Sequence, residues 1–77
     1  MKKRLSELPV GAKGKITGFY QDSIRCRERL ASMGLTPNTV LEILRIAPMG
    51  DPVEIKVRGY MLSLRLDEAR SVVVEEV

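Results

Sequence analysis

The chain contains no histidine and no tryptophan, and only one cysteine and three other aromatics, Phe19, Tyr20 and Tyr60, in 77 residues. Without histidine the commonest general base and transition-metal ligand are missing, and neither a Ser-His nor a Cys-His nucleophile can be assembled. A lone Cys26 allows neither an intramolecular disulfide nor a cysteine-based metal motif, which fits a reduced, intracellular setting. Gly11-Ala-Lys-Gly14 and Arg58-Gly59 lack the spacing of a phosphate-cradling loop. No apolar run approaches the roughly 18 residues that suggest a membrane-spanning helix. The opening MKKRLSEL is basic like a signal peptide, yet no apolar segment follows it. These absences predict a single cytoplasmic domain over residues 1–77, with no catalytic centre and no membrane insertion.

What is present is an ordinary soluble balance, 44% hydrophobic and 30% charged, in a chain long enough for one small core. Formal charge is +3, with Lys2, Lys3 and Arg4 in one cluster and Arg25, Arg27 and Arg29 in another. Such a surplus attracts nucleic acid, anionic lipid or an acidic protein face, although a solvated surface with a basic tail is the ordinary reading.

The most regular stretch is VLEILRIAPMGDPVEIKVRGYMLSLRL, residues 40–66. Val53, Ile55 and Val57 alternate with Glu54, Lys56 and Arg58, the period of a strand with one buried face. After Gly59, Leu62, Leu64 and Leu66 share one face, and Met61, Ser63 and Arg65 the other. Pro48, Gly50, Asp51 and Pro52 punctuate the preceding turn. The Val40–Ala47 strand is apolar on both faces, through Val40, Leu41, Ile43, Leu44 and Ile46. Such a strand is either central in a closed sheet or exposes an adhesive surface.

Upstream, Leu5 and Leu8 bracket a short turn before Pro9, and a first strand runs from about Gly14 to Tyr20, with Gly18 weakening it or marking a bulge. Gln21, Asp22 and Ser23 break the strand and supply helix-capping side chains. Ile24 to Met33 then reads as a helix with Cys26, Leu30 and Met33 on one face. Gly34 stands where a left-handed residue ends a helix, Leu35 packs back on Leu30, and Pro37 prevents continuation. Asp67 is expected to cap a brief turn through Arg70, and SVVVEEV forms a last strand. About five short strands with one helix inserted after the first predict a mainly β fold, a small SH3-like antiparallel barrel.

Cys26 beside three arginines could be a low-pKa thiol, but as part of the Leu30–Met33 face it reads as a core residue. Asp67-Glu68 and Glu75-Glu76 are neighbours that point apart along a strand and do not converge on a metal; Glu75 and Glu76 read as solvated edge charges. Single-strand nucleic-acid sites combine a basic groove with stacking rings, and Tyr20 and Tyr60 flank turns, where a ring either stacks a base or caps a barrel end. Protein binding fits better. Met49 at a turn tip is the best contact residue, with Leu44, Ile46, Met61 and Tyr60 extending an apolar patch and Arg45 and Arg58 forming its rim.

The segments LSELPVGAKGKI (5–16), RERLASMGLTPNT (27–39), RIAPMGDPVEIKVRGYMLSLR (45–65) and DEARSVVVE (67–75) resemble the FeoA family, small cytoplasmic accessory proteins of bacterial ferrous iron uptake. The resemblance covers nearly the whole chain. It implies an SH3-like barrel and, as partner, the FeoB transporter, at its cytoplasmic GTPase domain or its membrane-proximal region. It also implies a link to Fe(II) by family alone; no cofactor is required, and no residue here supplies a histidine or paired-cysteine ligand set. Similar barrels end the iron-dependent repressors, so an iron-linked regulatory domain and a small-barrel nucleic-acid module are the alternative readings. Weak self-association through the same patch is a further option.

Overall fold

The computed structural model describes residues 2–20 and 24–77, and the side chains of residues 2–20 and 27–77. The expected break and caps at Gln21, Asp22 and Ser23, and the placement of the Cys26 side chain, lie outside this description.

In chain order the elements are β1 (Lys2–Arg4), a 3₁₀ turn (Leu5–Glu7), β2 (Lys13–Phe19), α1 (Ile24–Ser32), β3 (Val40–Ile46), β4 (Val53–Val57), β5 (Tyr60–Leu64), α2 (Leu66–Ser71) and β6 (Val72–Glu76). The described strands form one six-stranded sheet in the order β1-β6-β2-β3-β4-β5. Every neighbouring pair is antiparallel. Leu5, Ile16, Leu35, Ile55, Leu64 and Val74 are fully buried within the single core that the sheet encloses. The architecture is the expected SH3-like one, with one strand more than the sequence suggested.

The extra strand is β1. Its composition reads as a basic tail, but Lys2, Lys3 and Arg4 pair with Glu75, Val74 and Val73 of β6. Lys3 Nζ lies 3.2 Å from Glu76 Oε1. The acidic end of β6 therefore receives the basic start of the chain, and the cross-strand charges agree in sign with the register.

Two bulges account for the irregular hydrophobic patterns. Along β2 and β6 the register moves between Ile16 and Gly18, so Thr17 is the unpaired residue and Phe19 returns to the core side. Along β3 and β4 it moves between Ile43 and Arg45, which leaves Leu44 as the extra residue. Leu41 and Ile43 point inward before this bulge, and Ile46, opposite buried Val53, points inward after it. The bulge thus returns Ile46 to the core side, while Val40 stays on the outer face, 48% exposed. One inserted residue reverses the parity of all that follow.

The helix end is as its sequence predicts. Gly34 has φ +90°, Leu35 N–H donates to Leu30 O at 3.0 Å, and Gly34 N–H donates to Ala31 O at 3.0 Å, the paired bonds of a Schellman motif. Leu30 and Leu35 are both fully buried, each worth about 1.5–3 kcal/mol of hydrophobic stabilisation. Asn38, at φ 73°, turns the chain so that its N–H meets Ile16 O at 2.7 Å, which docks the helix exit on β2.

The segment from Leu66 departs from expectation. Leu66 does not continue β5; it opens α2. Asp67 is not the cap. Glu68 reaches back instead, Oε1 accepting from Arg65 N–H at 2.9 Å, while Leu66 N–H donates to Asp51 Oδ1 at 3.1 Å. Glu68 is buried, and its Oε2 lies 3.1 Å from Arg29 Nε, tying α2 to α1.

Candidate functional site

The β3–β4–β5 meander carries every residue that sequence reasoning selected for partner contact. Its two connections set the geometry. Between β3 and β4, Ala47–Pro52 forms a loop closed by bonds from Ala47 N–H to Pro52 O at 3.1 Å and from Gly50 N–H to Ala47 O at 2.7 Å. Met49 at its tip is 88% exposed. Between β4 and β5 there are only two residues, Arg58 (φ 50°) and Gly59 (φ 84°), the positive pair of a type I′ hairpin turn.

These two ends do not meet. The five residues of β4 rise about 3.4 Å each and hold the Met49 loop roughly 15 Å from the Arg58 turn. Arg45, Leu44 and Ile46 lie toward the Met49 end, and Arg58, Tyr60 and Met61 belong to the other. The single apolar patch with a basic rim is therefore two surfaces. Ile46 packs partly buried against the core, and Leu44 is half-buried at the bulge, so neither offers a broad contact area. Arg45 is exposed and opposite Glu54.

At the second end Arg58 and Tyr60 are fixed from behind. Arg58 Nη2 donates to Thr36 Oγ1 at 3.2 Å and to Thr39 Oγ1 at 3.1 Å. The Tyr60 hydroxyl donates to Met33 O. The turn thus clasps the exit of α1, and the outer side of the hairpin is held rigid. Met61 stands on the outer face, 71% exposed, while Tyr60, its strand neighbour, points to the opposite face toward the helix exit and is 42% exposed.

Sequence reasoning missed the surroundings of this end. On the outer face the register aligns Lys13, Glu42, Lys56 and Met61 in one row across β2 to β5, and Lys2, Glu75, Lys15 and Val40 in another across β1 to β3. Charges alternate along each row, and each row ends on an exposed apolar side chain. A shallow depression between the rows is lined by Lys13, Val40, Leu41, Glu42, Lys56, Arg58 and Gly59, three cations against one carboxylate. Such a surface favours an acidic partner. No local pattern announces it, because its members come from three strands and become neighbours only through the register.

The aromatic rings occupy separate settings. Phe19 packs partly buried against the core, Tyr20 lies under the Arg4 guanidinium at 4.7 Å, and Tyr60 is bonded to the helix exit. Among the described residues no group of three or more cysteine, aspartate and glutamate side chains is placed to hold a metal ion, and no helix is long and apolar enough to cross a membrane.

Comparison with known proteins agrees with this architecture. Residues 3–76 match the family model of the FeoA domain. A protein of Porphyromonas gingivalis, an Fe(2+) transport protein A/Fe(2+) transporter FeoB fusion protein, is 32% identical over 72 residues; the match spans 94% of this chain and 8% of that protein. The solution structure of a FeoA-like protein from Clostridium acetobutylicum superposes with a TM-score of 0.90 at 37% identity, covering 99% of this chain and 87% of that one. The crystal structure of Stenotrophomonas maltophilia FeoA with zinc, described as a prokaryotic SH3 domain protein, gives a TM-score of 0.79 at 26% identity, covering 97% and 89%.

Proposed function

The chain belongs to the FeoA family, an accessory family of ferrous iron transport, and on that premise we propose that it binds and modulates a FeoB-type Fe(II) transporter without catalysing a reaction itself. The observation that carries this reading is the Porphyromonas relative, in which the matching segment and a FeoB transporter are one polypeptide. Physical linkage in one protein supports contact between the separate partners in another.

The contact draws on two surfaces of the meander, Met49 with Arg45 at one end of β4 and Met61 and Tyr60 with Arg58 at the other, which a partner spanning β4 engages together. Apolar anchors inside a charged surround are the usual anatomy of such an interface. The barrel acts by preferring one state of the transporter's cytoplasmic GTPase region over another; modulation then follows from differential affinity alone. Iron is the transporter's cargo, and no residue of this chain need touch it.

Titration of the labelled chain with the partner's cytoplasmic domain, with and without a GTP analogue, tests the proposal. Saturable binding is expected, and Met49→Asp should weaken it by at least about tenfold, or 1.4 kcal/mol. Because Met49 is 88% exposed, its thermal midpoint should stay that of the native chain. Unchanged binding in both Met49→Asp and Arg45→Glu would place the interface elsewhere; no binding by the native chain would overturn the reading.

A further inference from the structure

The two limits of the sheet are finished differently. At one limit β1 is three residues long and carries Lys2, Lys3 and Arg4, and short, charged edges resist pairing with another chain. At the other, β5 is five residues of sequence YMLSL, with neither charge nor proline.

The turn decides which backbone groups of β5 are open. A two-residue I′ hairpin makes its flanking residues, Val57 and Tyr60, a hydrogen-bonded pair, and bonded and non-bonded pairs then alternate along the ladder. With the observed register, Tyr60, Leu62 and Leu64 turn their main-chain groups toward β4. Met61 and Ser63 turn theirs away. β5 ends the strand order and pairs with β4 alone among the described residues, and both residues are exposed. Their side chains stand on the outer face, beside Lys56 and Glu54 respectively.

Resting on the partner reading above, we propose that the outer edge of β5 holds the partner by strand addition, accepting an extended acidic segment alongside Tyr60–Leu64. The N–H and C=O of Met61 and Ser63 supply the main-chain bonds, as in other sheet-edge recognition. The charge argues for acidity. Arg58 stands beyond one end of the strand and Arg65 beyond the other, Lys56 lies beside Met61 and Glu54 beside Ser63, three cations against one carboxylate. A carboxylate at either end of the incoming strand meets a cation, and a central apolar residue meets Met61.

A second copy of this chain fits badly. Antiparallel pairing of β5 with itself about Leu62 would bring Arg65 of each copy against the Arg58–Gly59 turn of the other, between molecules of net charge +3. Like charges at both ends oppose that register.

Ser63→Pro is the direct test, since it deletes an outward N–H and spares the bonds to β4; proline is tolerated where an edge N–H faces solvent. With the native chain binding the transporter's cytoplasmic domain, Ser63→Pro should lose at least about tenfold in affinity, and Ser63→Ala should stay within about twofold. Arg65→Glu should bind several-fold more weakly, the deficit shrinking as salt rises. In the unmutated complex, amide exchange at Met61 and Ser63 should slow by at least about tenfold, a readout that holds should Ser63→Pro fail to fold. Native binding with unchanged exchange at those amides would overturn strand addition and leave the partner reading standing. Loss of Ser63→Pro binding with Arg65→Glu unaffected would overturn the acidic character of the segment. Failure of the native chain to bind would remove both readings.

Discussion

Gly34 shows how one position serves two contacts. Its φ of +90° excludes other residues at a backbone cost of about 1–2 kcal/mol, and a Cβ there would also run into the Tyr60 hydroxyl. Gly34→Ala should therefore destabilise the fold by roughly 2 kcal/mol, seen as a lower urea midpoint with an unchanged slope. Removing the obstructing hydroxyl in a Gly34→Ala/Tyr60→Phe double variant should cost less than the two single losses added together, the mark of neighbours in contact. Half of this was legible in the sequence. MGL followed by Pro37 announces a helix stop, but the Tyr60–Met33 bond joins residues 27 positions apart, and no local pattern predicts it. Met49 was legible as exposed for the same local reason that Gly34 was legible as a cap: its turn neighbours fix the backbone around it.

At the level of elements, α2 owes its start to Glu68. That carboxylate accepts from Arg65 N–H and faces Arg29 of α1, so its loss strips a cap and an inter-helix tie together. Glu68→Ala should cost about 1–2 kcal/mol by thermal denaturation, in the range for lost caps. Arg29→Ala should cost under about 1 kcal/mol because the guanidinium is largely exposed. An Arg29 variant as damaging as the Glu68 variant would show the ion pair, and not the cap, to be the main support. The sequence placed the turn correctly and chose the wrong acid, since Asp67 and Glu68 are adjacent and only backbone geometry separates them. The same limit hid the bulge at Leu44. Alternation is read by parity, and an inserted residue changes parity without changing composition, so β3 looked adhesive on both faces when Ile46 belongs to the core.

For the whole molecule, fold class was legible because strands β2, β4 and β5, the helix stop and the turns each carry a local signature. The unity of the binding patch was not, because residues close in sequence order sit at opposite ends of β4. Nor was β1, whose three basic residues gain their role only from the acidic end of β6. The small positive charge, together with rings in separate settings, leads to a further expectation. Titration with a single-stranded oligonucleotide near about 150 mM salt should show no saturable binding, since counterion release is weak for so few phosphate contacts and no stacking platform supplements it. Tight binding there would favour the nucleic-acid alternative over a protein partner.

The pairing of β1 with β6 has a consequence for how such a unit can be wired. Because Lys2 lies opposite Glu75, the described chain enters and leaves at neighbouring points, while the open strand β5 lies at the other limit of the sheet. A graft onto either end, or a loop inserting the unit within a host, would tether it at the β1–β6 corner without adding a strand to β5, although α2 contacts both β1 and β5 and so brings the two margins near one another. The covalent join seen in the Porphyromonas relative and a freely diffusing copy could then present the same margin, differing only in effective concentration.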